Sequence, residues 1–163
     1  MNEYRANAAA TVINDKIICC GGGNGNVWLD SVEIYDPFSN IWTFCAYLPQ
    51  PTTGHVAVEI GGNLNVIGGW TGECCMNAIW TLDAMGGSGY LEGFSSMPYS
   101  HCEHSAAVID NKLYVCGGDC VGWVTDAVDI YDGRMWWQGP KLTSARCNAA
   151  LTVIPGHFAQ HLK

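Results

Sequence analysis

Lys112-Leu113-Tyr114-Val115-Cys116-Gly117-Gly118 is a short apolar run closed by a glycine pair. The chain carries this pattern three times. Lys16-Ile17-Ile18-Cys19-Cys20-Gly21-Gly22 is a second copy, and Asn63-Leu64-Asn65-Val66-Ile67-Gly68-Gly69 is a third. The first glycines of the pairs, Gly21, Gly68 and Gly117, stand 47 and 49 residues apart. Self-similarity at such a period points to a repeat architecture, in which each unit buries its faces against its neighbours.

The residues around each copy repeat as well. Upstream lies a strand-like segment, A, found at 5–13, 52–60, 101–109 and 146–154. Residues 5–13 and 146–154 agree at most positions and lie 141 residues apart, three periods of 47. The first three copies of A are followed by Asn14-Asp15, Gly61-Gly62 and Asp110-Asn111. These residue types accept the positive φ that a two-residue type I′ hairpin needs at both positions. Strand B follows and ends in the glycine pair, where the backbone either turns through φ > 0 or packs too closely for a side chain.

A polar loop then leads to strand C, Ser31-Val32-Glu33-Ile34-Tyr35-Asp36 in the first repeat and Ala127-Val128-Asp129-Ile130-Tyr131-Asp132 in the third. The apolar–acidic–apolar alternation has the period of a half-buried strand. Turn residues come next, and then a strand D carrying Trp42 in the first repeat and Trp136 in the third. Four short antiparallel strands per period predict a propeller blade. The second repeat is degenerate: Leu82-Asp83 replaces Tyr-Asp, and its strand D, placed in Ala84–Phe94, has no Trp, leaving Tyr90 or Phe94 for that slot.

These residues resemble the kelch repeat: Gly-Gly after strand B, then Tyr-Asp, then Trp, in register over about 5–154. The fold expected is all-β, a partial kelch-type propeller over 1–163. Repeat 1 covers 5–51, repeat 2 covers 52–100, repeat 3 covers 101–145, and 146–163 begins a fourth. Because kelch propellers usually close with six blades, this chain is expected to be a fragment, a short isoform or half of a ring completed by another chain. In that pattern Gly21, Gly22, Gly68, Gly69, Gly117, Gly118, Tyr35, Asp36, Tyr131, Asp132, Trp42 and Trp136 are structural residues.

Composition narrows the function. Of 163 residues 48% are hydrophobic and 13% charged, with net charge −8. The chain is therefore not disordered by composition, and it lacks the basic footprint of a nucleic-acid or anionic-membrane binder. The N-terminus shows no signal peptide, the apolar runs are too short to span a membrane, and a cytoplasmic location is expected. Nine cysteines, an odd count with no Cys-x-x-Cys, read as buried thiols rather than disulfides. His101-Cys102-Glu103-His104 and Cys116-x-x-x-Cys120 have metal-like spacing, but the repeat pattern already accounts for both, so no metal or cofactor is expected.

Strands A to D alternate in direction, so the long B–C loops, 23–30, 70–77 and 119–126, share one rim. Each holds a tryptophan, Trp28, Trp70 or Trp123, a residue enriched in binding hot spots. The heads of the A strands feed the mouth of the channel. They place Asn7, Gly54, Glu103 and Asn148 at one level, and Arg5, Thr52, His101 and Arg146 two residues earlier. Candidate partner contacts are thus Trp28, Trp70, Trp123, Arg5, Asn7, His101, Glu103, Arg146 and Asn148. Arg5 and Arg146 have an alternative reading as structural ion pairs.

The resemblance implies a non-catalytic protein-binding module, as in the substrate-recognition propellers of kelch-like adaptors. Those adaptors reach a cullin ubiquitin ligase through a BTB domain that is absent here; an actin-binding role is the alternative. Kelch-like mouths often use arginines, and the level of Asn7, Gly54, Glu103 and Asn148 holds none, the arginines Arg5 and Arg146 standing two residues earlier, so an acidic peptide ligand is not carried over. An enzyme of the sialidase kind needs clustered arginines and one of the copper-oxidase kind needs converging His and Tyr; neither pattern is present.

Overall fold

The computed structural model describes residues 1–83 and 92–154. Every regular element among them is a β-strand. Blade 1 contains β1 (Ala9–Ile13), β2 (Lys16–Cys20), β3 (Ser31–Asp36) and β4 (Ile41–Tyr47). Blade 2 contains β5 (Val56–Ile60), β6 (Asn63–Ile67), β7 (Ala78–Asp83) and β8 (Glu92–Ser96). Blade 3 contains β9 (Ser105–Ile109), β10 (Lys112–Cys116), β13 (Val128–Tyr131) and β14 (Trp136–Gln138), with the small ribbon β11 (Asp119–Cys120) and β12 (Trp123–Val124) between β10 and β13. Each blade is an antiparallel meander in sequence order, and the ring they begin is not closed.

The A–B turns form as their residues dictate. Asn14 and Asp15 have φ of 50° and 61°, and Asp110 and Asn111 have 50° and 57°. That geometry fixes the registers Ile13↔Lys16 and Ile109↔Lys112. The C–D turns are held by Asp side chains: the Phe38 amide donates to Asp36 Oδ1 at 2.8 Å, and the Arg134 amide to Asp132 Oδ1 at 2.9 Å. Behind each such turn the Tyr of Tyr-Asp lies against the Trp of the fourth strand, with ring centroids 5.1 Å apart for Tyr35–Trp42 and 5.0 Å for Tyr131–Trp136.

The cores lie between blades rather than within them. Ile18, Cys20, Val32, Leu64, Val66, Trp80 and Leu82 fill the seam of blades 1 and 2. Val58, Ile67, Ile79, Met97, Leu113 and Val115 fill the seam of blades 2 and 3. Strand β6 is consequently buried on both faces, with Leu64, Val66 and Ile67 all at 0% exposure. Each such side chain contributes about 1.5–3 kcal/mol of burial. The backbone crosses both seams too: the Gly22 amide donates to Thr52 O at 2.8 Å, and the Gly69 amide to His101 O at 2.9 Å. Gly21 (φ +58°) has no room for more, since a Cβ there would stand 2.7 Å from Thr52 O and 2.5 Å from His55.

Four expectations need correction. Strand C is not half-buried: Glu33 is 0% exposed and Asp129 2%, because the segment leading into each A strand folds over the face where alternation would place solvent. Residues 146–154 form no strand, and Leu151, Val153 and Ile154 are 39–48% exposed; an extended segment without a ladder partner does not become a strand. The third B–C loop is not irregular but holds the β11–β12 ribbon. The fourth strand of blade 2 is Glu92–Ser96, shifted from the expected Ala84–Phe94, while Leu82 is buried where Tyr was expected. Tyr90 and the Phe94 side chain lie outside the described residues. Among the described residues no helix is long and apolar enough to cross a membrane.

Candidate functional site

The B–C loops and the heads of the A strands surround a cleft of about 570 Å³ on one rim. Asn7, Trp28, Gly54, Trp70, Glu103, Asp119, Val121 and Asn148 are among its walls. The loops are braced from within. Asn24 Oδ1 accepts from the Asn26 and Val27 amides, Thr71 Oγ1 accepts from the Glu73 and Cys74 amides, and Asp119 Oδ1 accepts from the Gly122 amide. Such side-chain-to-backbone turns hold a loop without a regular ladder.

The tryptophans differ. Trp123, at the tip of the β11–β12 ribbon, is 83% exposed, and Trp28 is 44% exposed. Trp28 lies over Gly23 and reaches Gly72 of the next blade. Trp70 is half-buried and bridges Thr53 and Cys75. Val27, Val121 and Val124 are 59%, 73% and 42% exposed. The rim therefore presents apolar surface beside the acidic side chains of Glu103 and Asp119 in the cleft wall.

Backbone conformation marks the same cleft. Asn7, Gly54, Glu103 and Asn148 all take left-handed φ, from 51° to 60°. The Glu103 amide donates to Gly54 O at 2.7 Å, the Asn148 amide to Glu103 O at 2.8 Å, and Asn148 Nδ2 to Glu103 Oε2 at 2.8 Å. Among the described residues, every non-glycine with positive φ is Asn or Asp except Glu103 (55°) and Val121 (53°). The left-handed region costs such side chains roughly 1–2 kcal/mol, and a β-branched residue there is an outlier. Both of these residues line the cleft.

Two expected contacts turn inward. The Arg5 guanidinium is wholly buried and does not face a partner. It donates to Glu33 Oε1 at 2.8 Å from Nη2, and to the Gly21 and Ser31 carbonyls at 3.0 Å from Nη1. Burial alone would raise the Glu33 carboxyl, but the Asn2 amide, the Arg5 guanidinium and the Glu3 amide together hold it below the ordinary range. His101, the same position in blade 3, is 6% exposed, with Nε2 3.9 Å from Asp129 Oδ2. Burial lowers the His101 ring and raises the Asp129 carboxyl. Sequence reasoning missed Glu33 and Asp129; the signal was that each shares a repeat position opposite a cationic or titratable partner. Arg146 is exposed and bonds Ser144.

The other histidines among the described residues, His55 and His104, do not form a catalytic pair. His55 Nε2 donates to Cys20 O at 3.1 Å and lies 3.5 Å from Cys20 Sγ. A reactive pair needs a lowered thiol beside a basic imidazole. Burial instead pushes the Cys20 thiol up and the His55 ring down to about 4. Burial, with the His101 and His55 rings, drives His104 down to about 3. Both rings fold neutral and regain a pKa of about 6.5 on unfolding. Their stability contribution is therefore complete above about 6.5 and is lost as pH falls toward the folded values, at up to about 1.4 kcal/mol per pH unit for each. Urea midpoints measured across this window should fall with pH, and His55→Gln should flatten the fall. A flat profile for the unmutated chain would refute the assignment.

Comparison with known proteins agrees with this geometry. The family model described as Kelch motif matches residues 4–49 and 100–132. The spermatocyte protein spe-26 of Caenorhabditis elegans is 38% identical over 80 residues, which is 49% of this chain and 14% of that protein. The human Kelch repeat and BTB domain-containing protein 12 is 28% identical over 165 residues, 87% of this chain and 26% of that protein. The chain thus spans about a quarter or less of these relatives' length. The solved structure of YjhT superposes with a TM-score of 0.77 at 17% identity, covering 88% of this chain and 54% of that one.

Proposed function

The chain belongs to the kelch-repeat proteins, and from that premise we propose that it is a non-catalytic module that binds a protein partner on the rim of the B–C loops. The observation that carries this reading is the coincidence of strain and exposure. The two residues least suited to a left-handed backbone, Glu103 and Val121, line the same cleft as Trp28, and the ribbon that carries Val121 also carries the exposed Trp123. Strain kept at a rim, where Asn or Gly would relieve it, is a mark of a functional surface. Trp123 supplies an exposed aromatic anchor, and Glu103 and Asp119 favour a neutral or basic partner. By family, the role proposed is substrate recognition for a cullin-type ubiquitin ligase adaptor, reached through a BTB domain in the same protein. A cytosolic setting fits nine unpaired cysteines.

The test is capture of partners from cell extract by the immobilised chain and by two variants. Trp123→Ala should cut capture at least tenfold, as loss of a hot spot of about 2 kcal/mol implies. Glu103→Gly copies Gly54. It should raise stability by about 0.5–1 kcal/mol by relieving the left-handed strain, and still weaken capture. Co-sedimentation with actin filaments that survives both variants would favour the cytoskeletal role and sink this reading.

A further inference from the structure

Cys75 and Cys102 belong to different blades, yet their sulfurs meet at 3.0 Å. Cys75 lies in the second B–C loop, bridged to Trp70. Cys102 lies at the head of the A strand of blade 3, bridged to Asp119. The two thiols also share an acceptor, the Asp119 carbonyl, at 3.6 and 3.5 Å. They are 7% and 8% exposed, and that residual exposure opens onto the wall of the cleft. All nine cysteines are free.

We propose that Cys75 and Cys102 form an oxidation site, in which a peroxide entering the cleft joins them as a disulfide and stitches blade 2 to blade 3. One thiolate attacks a peroxide oxygen. The O–O bond breaks, a sulfenic acid forms, and the departing oxygen leaves as water after protonation. The second thiol attacks the sulfenic sulfur; the S–S bond forms, the S–O bond breaks, and a second water leaves. Two electrons pass from the sulfurs to the peroxide, and no further reactant is needed. The sulfurs must approach by about 1 Å to reach a bond of about 2.05 Å, a shift that the loop position of Cys75 accommodates.

Burial and the neighbouring Cys75, Glu103 and Asp119 push the Cys102 thiol up, so the reaction is slow at neutral pH and quickens as pH rises. Cys120 stands close to Cys75 as well, and Cys74 is exposed beside it. These two are the competitors an experiment must separate.

The folded chain is treated with hydrogen peroxide, remaining thiols are alkylated, and the protein is cleaved after glutamate. Cleavage at Glu73, Glu92 and Glu103 puts Cys75 and Cys102 on different peptides. The expected product is those two peptides joined, lighter by two hydrogens and separated again by dithiothreitol. Cys74→Ser should retain the link, and Cys75→Ser should abolish it. The wild-type map stands even if a variant fails to fold. A link from Cys75 to Cys120, oxidation confined to exposed Cys45 or Cys74, or an equal yield of the link from the chain in urea would each overturn the proposal.

Discussion

Glu33→Ala will cost the fold about 3–5 kcal/mol, the penalty for stranding one partner of a buried ion pair. Both side chains of the Arg5–Glu33 pair are 0% exposed, so the guanidinium left behind has no water to turn to. Two of its other bonds go to the fixed carbonyls of Gly21 and Ser31, which neutralise none of its charge, and its remaining carboxylate partner, Glu3 Oε2 at 3.2 Å, is 35% exposed and offsets that charge only in part, which puts the expected cost at the lower end of that range. The measurement is urea unfolding at neutral pH. A companion variant, Arg5→Met with Glu33→Leu, should recover most of the loss, because removing both charges also removes their desolvation. A cost below about 1 kcal/mol for the single change would mean that the pair behaves as an exposed one. The carboxyl of Glu33 is held low. Its contribution is thus complete above the ordinary carboxylate range and is lost as pH falls from that range through its lower folded value, so it overlaps only the acid end of the window in which the buried histidines act.

Gly68→Ala is the second large effect, expected at about 2–5 kcal/mol from left-handed strain and overpacking together. Gly68 has φ +55°, and a Cβ there would stand 2.6 Å from His101 O, 2.8 Å from His104 and 2.9 Å from Met97. Gly61 provides the control: its φ is +61°, but nothing lies within 4 Å of its Cβ position. Gly61→Ala should therefore show the conformational cost alone, about 1–2 kcal/mol. The difference between the two variants measures how tightly blade 3 closes on blade 2. Equal costs would show that the seam yields.

Local chemistry made much of the fold legible. Asn14-Asp15 and Asp110-Asn111 announce their hairpins, and Asp36 and Asp132 announce the turns that their carboxylates hold. Tyr35 and Trp42 recur at matched positions in blade 3, so their stacking follows from the repeat. What stayed hidden depends on contacts between segments. Alternation around Glu33 predicts a solvent-facing acid, and only the path of residues 2–5 across that face reverses the prediction. Val121-Gly122 carries no usual hairpin signature, because a β-branched residue opposes positive φ, so the ribbon that lifts Trp123 was unforeseen. Cys75 and Cys102 are 27 positions apart, and nothing in either stretch indicates that a seam brings them together. The rim tryptophans were found by repetition, whereas their unequal exposure comes from loop geometry.

The hydrogen bonds from Gly22 and Gly69 to the following blade have a consequence for symmetry. Donor and acceptor are different surfaces of the same unit, so the joint is heterologous and runs head to tail. A joint of this kind has no built-in stopping point. Applied repeatedly, it generates a ring if the angle per step divides a full turn and a spiral if it does not. The glycine pair therefore sets polarity and spacing, while the wedge of side chains between blades, thick at Trp80 and thin at Ala57, sets the angle. Changing the bulk of that wedge would alter the pitch of the assembly without touching the connector.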